Sequence, residues 1–266
     1  MSIRHFTPRR RRHGISQRAR VALGGALGLT ILLQIAYPLI EGELLRVVTI
    51  ATIYVGATSM LLHAYLSYGV KYLLRYFPIT VLFGYFIELL GVKSGWPFGE
   101  YYYDPSLGVA IFGVPLVVPF AWVMMVHPVL CAARRVTMRW TFLYGGALLA
   151  AWDLFLDPLM VSAGRWHWTV DGSHVPFSPE IPLSNLFGWL LAGCAIISLL
   201  NLVLPFERRR ESASLRAVTI LLSWVGFSGL VGNLFFFDRP GLAIFAFTVY
   251  GALAIPYIFK SALGEA

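Results

Sequence analysis

The 266-residue chain contains little charge and almost no cysteine. Charged residues make up 13% of it, hydrophobic residues make up 58%, and the mean hydropathy is +0.71. A soluble fold needs polar faces around its core, so this composition excludes a soluble globular protein and indicates a membrane protein. The two cysteines, Cys131 and Cys194, lie in apolar segments without metal-ligand spacing, which predicts that they are packing residues.

Long apolar runs dominate the chain, and a transmembrane helix needs about 20 such residues. Eight stretches meet or approach this length: 21–40, 47–66, 77–92, 109–131, 140–163, 185–205, 217–236 and 241–260. Seven spans are the alternative, because the third stretch is short. The predicted fold is an all-α, polytopic transmembrane helix bundle with a basic cytoplasmic arm (1–20), one transmembrane domain (21–260) and a short cytoplasmic tail (261–266).

The basic residues fall mainly on one side of the predicted membrane. If the N-terminus is cytoplasmic, all but four of the 21 Lys and Arg residues lie inside; the exceptions are Arg46, Lys93, Arg165 and Arg239. Cytoplasmic loops are enriched in Lys and Arg, so this pattern favours a multi-pass protein of the inner cell membrane with both ends inside. It also explains the net charge of +8 without nucleic-acid binding. The arm lacks a signal-peptide cleavage site, and we expect it to lie beside anionic lipid.

Two long loops fall on the predicted outer side, and both are rich in aromatic residues. The first, KSGWPFGEYYYDPSLG (93–108), is predicted to be an ordered interfacial loop and not another helix. The second, GRWHWTVDGSHVPF (164–177), alternates around Asp171 and Gly172, a pair that favours the tight turn of a β-hairpin. Together, the loops are predicted to cap the outer end of the bundle.

Ionisable residues inside the spans are functional candidates, because a charge at mid-bilayer costs about 3 kcal/mol even on insertion scales. They are His63, Glu88, His127, Asp153 and Asp157. The histidines fall near the cytoplasmic ends of their spans, where a ring can reach water, which favours a structural or interfacial role. The three acids fall in the middle or outer half of the bilayer and could share one chamber.

The segment WDLFLDPLM (152–160) places Asp153 and Asp157 four residues apart, on one face of a helix. Pro158 cannot donate to the helix ladder, so a kink or a helix end is expected there. Such backbone is tolerated at membrane depth where it lines a protein-walled or wet cavity. The alternative is structural, with the acids accepting backbone hydrogen bonds or pairing with an arginine.

Two other membrane chemistries fit the sequence poorly. Membrane prenyltransferases use the same acidic spacing to hold magnesium against a diphosphate, but they need a second acidic cluster and phosphate-facing basic residues, which are missing here. A retinal pigment needs a lysine at mid-span for its Schiff base, but Lys71, Lys93 and Lys260 are all peripheral. We therefore expect neither a metal ion nor another cofactor.

Three segments, in order, carry a family resemblance: GYFIELLGVKSGWPFGEYYYDPSLG (84–108), WDLFLDPLM followed by GRWHW (152–168), and IPLSNLFGW (181–189). They resemble the CruF-type carotenoid hydratases, membrane proteins of carotenoid biosynthesis that include the bisanhydrobacterioruberin hydratases of halophilic archaea. The resemblance implies a hydro-lyase that adds water across the terminal carbon–carbon double bond of an acyclic carotenoid end group. Lycopene, γ-carotene and bisanhydrobacterioruberin are the implied types of substrate, and the product is a tertiary alcohol.

The residues fit this reaction on chemical grounds. Protonating an alkene requires a neutral acid, and a carboxylic acid removed from water stays protonated because its charged form loses hydration. We expect one of Asp153, Asp157 and Glu88 to protonate the alkene and another to deprotonate the water that captures the cation. Aromatic rings can stabilise the cation. The Asn185 amide could orient water, or Asn185 could serve only as a residue that starts its helix. These substrate-binding candidates are Trp96, Tyr101, Tyr103, Trp152, Trp166, Trp168 and Asn185.

Two alternatives stay open. A membrane lycopene cyclase begins with the same protonation but lets an internal alkene capture the cation. Access of water distinguishes the two, and the position of Glu88 and Asp157 beneath polar loops with Glu100, Asp104 and His167 favours hydration. A non-catalytic carotenoid-binding or transport protein is the alternative from another class. The expected partners are a lipid-dissolved carotenoid, water and membrane lipid, with other carotenoid biosynthesis enzymes as candidates.

Overall fold

The computed structural model describes residues 15–204 and 214–263, and these ranges are mainly helical. The helices are α1 (Gln17–Ala36), α2 (Gly42–Tyr68), α3 (Val70–Ser94), α4 (Val117–Val136), α5 (Thr141–Ser162), α6 (Leu183–Val203), α7 (Arg216–Phe235) and α8 (Pro240–Leu263). All eight are long and apolar enough to cross a membrane. The prediction of an all-α, polytopic bundle is confirmed, with eight spans in the described part of the chain.

The first helix begins earlier, and the last helix ends later, than the apolar runs that predicted them. Ser16 is the N-cap of α1, and its hydroxyl accepts a hydrogen bond from the Ala19 N–H at 3.3 Å. Serine suits this position because its oxygen satisfies a free N–H group of the first turn. At the other end, α8 continues to Leu263. Most of the predicted basic arm (1–14) and the end of the predicted tail (264–266) lie outside the described residues.

The two long loops form a cap over one end of the bundle, which we define as residues 95–116 and 163–182. Its strands are β1 (Tyr101–Tyr103), β2 (Ala110–Ile111), β3 (Val114–Pro115), β4 (Trp166–Trp168), β5 (His174–Val175) and β6 (Ser178–Pro182). Strands β1 and β4 pair antiparallel and so join the two loops, with Tyr101 opposite Trp168 and Tyr103 opposite Trp166. The prediction of two ordered, aromatic-rich loops is confirmed.

The fourth span begins later than predicted. The apolar run suggested a start at Val109, but α4 begins at Val117, after the hairpin of β2 and β3. The turn residues of that hairpin, Phe112 and Gly113, have φ values of 53° and 95°. Two successive residues with positive φ give the tight turn that suits a β-hairpin. The hairpin is built mainly from apolar residues, so hydropathy alone did not separate it from the helix.

The hairpin expected around Asp171 and Gly172 is wrong. The strand before this pair, β4, bonds to β1 of the other loop instead of to the residues that follow it. The hairpin of this loop lies further on, where Pro176 and Phe177 connect β5 to β6 and Phe177 has a φ of 64°. The aspartate–glycine pair therefore lies in the connection between two different sheets.

Helix α4 is the centre of the bundle. Of its most apolar 18-residue window, 83% is buried inside the protein, compared with 11% for α1. Helix α4 packs against α2, α3, α5, α6, α7 and α8. Large apolar side chains on the outer helices are exposed, such as Leu74 and Leu202, as expected for surfaces that face lipid.

The two histidines within the spans do not reach the surface. Both rings are fully enclosed, and Nδ1 of His63 lies 2.9 Å from Nε2 of His127. The other ring nitrogen of His63 lies 3.1 Å from the backbone oxygen of Ser214. The expectation that these rings reach water is wrong, because the histidines hydrogen-bond each other at the end of the bundle away from the cap. This arrangement agrees with a structural role.

Candidate active site

A cavity of about 200 Å³ lies beneath the cap, beside the central helix α4. Its wall is mainly aromatic and aliphatic. Three polar residues predicted for the site line it: Glu88 from α3, Asp157 from α5 and Asn185 from α6. All three side chains are at least 96% buried. The structure therefore brings together residues from three separate helices in one apolar chamber.

Glu88 is held by three hydrogen-bond donors. Its Oε2 atom accepts from the hydroxyl groups of Tyr101 at 2.6 Å and Tyr103 at 2.7 Å. Its Oε1 atom accepts from the indole N–H of Trp122 at 3.0 Å. Such a set of donors fixes the position of the carboxyl group and satisfies it in a medium without free water.

The strand geometry of the cap explains why two tyrosines reach Glu88. Successive side chains of a β-strand point to opposite faces, so Tyr101 and Tyr103 of β1 share one face. Tyr102 points the other way, is 60% exposed and has its ring 5.2 Å from that of His167. The YYY run therefore contributes two hydroxyl groups to the site and one ring to the cap surface.

Both tyrosines at Glu88 act as donors. Burial raises the pKa of the Tyr101 and Tyr103 hydroxyl groups above the ordinary value of 10.0, and the adjacent Glu88 carboxyl raises it further. A phenol in this setting stays protonated at any working pH. The two O–H groups are therefore permanent parts of the carboxyl-binding arrangement.

The two aspartates of α5 share a single amide group. Asn185 Nδ2 donates to Oδ2 of Asp157 and also to Oδ2 of Asp153, the latter at 3.2 Å. Asp157 lines the cavity, whereas Asp153 is not part of the wall and is 2% exposed. The second oxygen of Asp153 has no hydrogen-bond partner among the described residues. The helical spacing thus placed both acids on one face as predicted, but only one of them reaches the chamber.

Helix α5 does not end at Pro158, as one prediction for this segment allowed, but continues to Ser162. The proline carbonyl oxygen accepts hydrogen bonds from Ser162 Oγ at 2.7 Å and from Arg239 Nη1 at 3.0 Å. The arginine here bonds a backbone carbonyl, and none of the three buried acids forms an ion pair in the part of the chain that the structure describes.

Five of the six predicted aromatic residues line the cavity: Tyr101, Tyr103, Trp152, Trp166 and Trp168. The sixth, Trp96, is 55% exposed on the cap and is not part of the wall. The indole N–H of Trp168 donates to the Phe98 carbonyl at 3.2 Å, which fixes its ring against the first loop. The structure therefore assembles most of the predicted aromatic set but leaves Trp96 outside it.

Sequence reasoning missed a stacked indole pair. Trp122 of α4 and Trp189 of α6 have ring centroids 4.7 Å apart and an interplanar angle of 12°, and both line the cavity. Trp122 lies in a uniformly apolar run, which gives no signal for a site. The sequence did contain a signal for Trp189, because this residue follows Asn185 by four positions and so lies on the same helical face.

The fold and the site define a polytopic α-helical membrane protein with buried acids in an aromatic cavity under a loop cap. The model of the carotenoid biosynthesis protein family matches residues 48–252, which is most of the chain. The chain therefore belongs to the carotenoid biosynthesis protein family.

One relative is named bisanhydrobacterioruberin hydratase and comes from Haloarcula japonica. It is 31% identical over 150 residues, which are 53% of this chain and 48% of that protein. The chain thus spans about half the length of this relative. No solved structure matches the chain. The resemblance to the CruF-type family that was read from the three segments is confirmed.

Proposed function

We propose that the protein is a carotenoid hydratase that adds water across the terminal double bond of an acyclic carotenoid end group. The observation that carries this proposal is that Glu88 and Asp157, from different helices, line one aromatic chamber and have no basic partner within residues 15–204 and 214–263. Acid-catalysed hydration needs a proton donor and a proton acceptor near one apolar substrate. The name of the Haloarcula relative supports the same reaction.

In the proposed mechanism, Asp157 is the proton donor. Two adjacent carboxyl groups in an apolar medium seldom both carry a charge, so Asp153 and Asp157 together retain a proton. Asp157 faces the cavity and transfers its proton to the less substituted carbon of the alkene. The π electrons form the new C–H bond, and the neighbouring carbon becomes a tertiary cation. Asp153, which does not face the cavity, acts through Asp157 and Asn185 as a positioning residue.

Glu88 is the proposed proton acceptor. Water adds its oxygen to the tertiary cation, and Glu88 takes the proton that the bound water loses. Three fixed donors hold this carboxyl group and favour its acceptor role. Transfer of a proton back to the Asp153–Asp157 pair restores the starting state, so the net reaction is alkene plus water to tertiary alcohol.

The aromatic wall has a role in the cationic step. A cation over the face of an indole or phenol ring is stabilised by about 0.5–2 kcal/mol, depending on how far it is removed from water. The stacked pair of Trp122 and Trp189 lies beside Glu88, and Trp152 and Trp166 also line the chamber. These rings lower the energy of the intermediate without trapping it covalently.

Expression in a lycopene-producing bacterium tests the proposal. The expected product is one water heavier, and growth in water labelled with heavy oxygen should transfer the label to the new alcohol. A ring-closed isomer of unchanged mass would indicate a cyclase instead. Unchanged pigment, with protein present in the membrane and γ-carotene also left unmodified, would indicate a binding or transport protein. The same cells allow the topology to be tested, because we propose an inner-membrane location with the N-terminus in the cytoplasm.

A further inference from the structure

The cavity has a second polar region that carries no charge. Gln34 of α1, Tyr37 of the short 3₁₀ turn after α1, Thr49 of α2 and Asn233 of α7 all line it. We call these four residues the neutral polar wall. They come from helices other than those that carry Glu88, Asp157 and Asn185. The proposed mechanism uses none of them.

Tyr37 shows that this wall has unused hydrogen-bonding capacity. Its side chain is 9% exposed and lines the cavity, and its hydroxyl group has no hydrogen bond of normal geometry among the described residues, although the Thr49 hydroxyl group lies near enough to interact with it. The ring is fixed by an edge contact with Phe237, with centroids 6.4 Å apart. Buried polar groups without a partner are rare in folded proteins, and each needs an explanation. A ligand atom in the cavity that pairs with this hydroxyl group supplies one.

The other members of the wall are oriented by their own hydrogen bonds. Gln34 Oε1 accepts from the indole N–H of Trp224 at 2.6 Å, which leaves its amide N–H groups for a ligand. Asn233 Nδ2 donates to the Gly229 carbonyl at 2.8 Å, which leaves its side-chain oxygen as an acceptor. The Thr49 hydroxyl group donates to its own helix at 2.7 Å, and its oxygen can accept from Tyr37 or from a ligand. The wall therefore offers both donors and acceptors.

This combination matches a hydroxyl group, which donates one hydrogen bond and accepts others. A carboxylate or phosphate would need a cation in the wall, and an ammonium group would need an anion. Arg165 is the cation that interacts electrostatically with Tyr37, but it is not part of the cavity wall. Its Nη1 atom donates to Ser106 Oγ at 3.0 Å. The chemistry of the wall therefore points to a neutral ligand group.

We propose that the neutral polar wall binds a hydroxyl group, which belongs either to water or to an alcohol on the polyene. The role of this group rests on the proposed hydratase function. A bound water is the nucleophile that captures the cation. A bound alcohol makes the wall a specificity site, which favours polyenes that carry a hydroxyl group on the end that enters the cavity.

Tyr37→Phe tests the wall, and Tyr54→Phe is the matched control because Tyr54 is a partly exposed tyrosine of α2 that does not line the cavity. Purified protein in lipid nanodiscs is titrated with lycopene and with 1-hydroxylycopene, and binding is followed by quenching of tryptophan fluorescence. If the wall binds an alcohol, the wild type prefers 1-hydroxylycopene by about five- to tenfold, and Tyr37→Phe loses this preference. Tyr54→Phe keeps it. This measurement needs no turnover, so it stays informative even if the hydratase function is wrong.

If the wall binds water, the two polyenes bind with similar affinity in all variants, and the effect appears in turnover. Reactions in heavy water then show about fivefold less alcohol for Tyr37→Phe, while deuterium still enters recovered lycopene because protonation of the alkene continues. Equal binding of both polyenes, together with an alcohol-to-deuterium ratio equal to that of Tyr54→Phe, would overturn the proposal. If the wild type hydrates neither polyene, the binding titration alone tests the proposal. The proposal would then be overturned if Tyr37→Phe and the wild type showed the same preference between the two polyenes.

Discussion

Replacing Asp157 by asparagine separates the proton-donor role from the structural role of the acid pair. Asparagine has nearly the same shape, and its oxygen can still accept the hydrogen bond from the Asn185 amide. It cannot supply a proton to an alkene. We therefore expect Asp157→Asn to insert into the membrane and fold normally, with a stability change of about 1 kcal/mol, the usual value for one altered hydrogen bond.

The expected loss of activity is large. General acid catalysis contributes about 10²–10⁴-fold to a rate, and this corresponds to about 3–5 kcal/mol of barrier. Asp153→Asn should cost less, because Asp153 does not face the cavity and acts through the shared amide. Asparagine at position 153 can keep this hydrogen bond but removes the charge that strengthens it, so the expected loss is about tenfold in rate if the whole effect reaches the transition state.

Initial rates of alcohol formation in isolated membranes are the appropriate assay, normalised to the amount of folded protein. Asp171→Asn is the matched control, since Asp171 is an exposed residue of the cap that does not line the cavity. Asp153→Asn should also change the pH dependence of the residual rate, which a purely structural contribution would leave unchanged. A rate for Asp157→Asn within about twofold of the control would refute its role as the proton donor.

Two further variants test the support of the site. Tyr103→Phe removes a donor to Glu88 and should lower the hydration rate about tenfold, whereas Tyr102→Phe on the other face of β1 should match the wild type; equal rates would argue against the donor role. Gly91→Ala places a Cβ atom 2.6 Å from the hydroxyl group of Tyr101, which also donates to Glu88. Thermal unfolding in detergent should therefore show about 1–3 kcal/mol of destabilisation. Gly24→Ala, whose added Cβ atom has no neighbour within 4 Å, should show no destabilisation. Equal melting temperatures of the two variants would contradict the packing argument.

The spans were predictable because a lipid bilayer imposes one requirement on every segment that crosses it. Backbone groups must be bonded within the segment, and about 20 apolar residues are needed to cross. The polar residues within spans were equally visible, since an acid such as Glu88 or Asp157 is costly in lipid unless the protein encloses it. The sequence therefore predicted which acids are buried, and the helical spacing predicted that Asp153 and Asp157 share a face.

Short-range signals were less reliable in the cap. The Asp171–Gly172 pair suits a hairpin turn, but the adjacent strand β4 pairs with β1, which lies more than sixty residues earlier in the chain. A turn preference is worth little compared with the packing of Trp166 and Trp168 against the tyrosines of β1. Local sequence cannot report such a long-range partner.

The neutral polar wall could not be predicted for a related reason. Tyr37 and Asn233 lie close to helix ends, where polar residues are common in any membrane protein, and Thr49 is one of several threonines along α2. Trp122 was hidden differently, because one more aromatic ring in an apolar run carries no signal. Only the packing of α1, α2, α4 and α7 around one cavity shows that these residues have a common environment.

The cap is therefore part of the site and not only a cover for it. Two of the three donors to Glu88 come from β1, and the third comes from α4. Strand β1 is held in place by β4, which belongs to the loop that follows the aspartates of α5. The same short sheet thus links the carboxyl group of α3 to the acid pair of α5. A change that separates β1 from β4 should disturb both acids together, even though neither strand carries a catalytic carboxyl group.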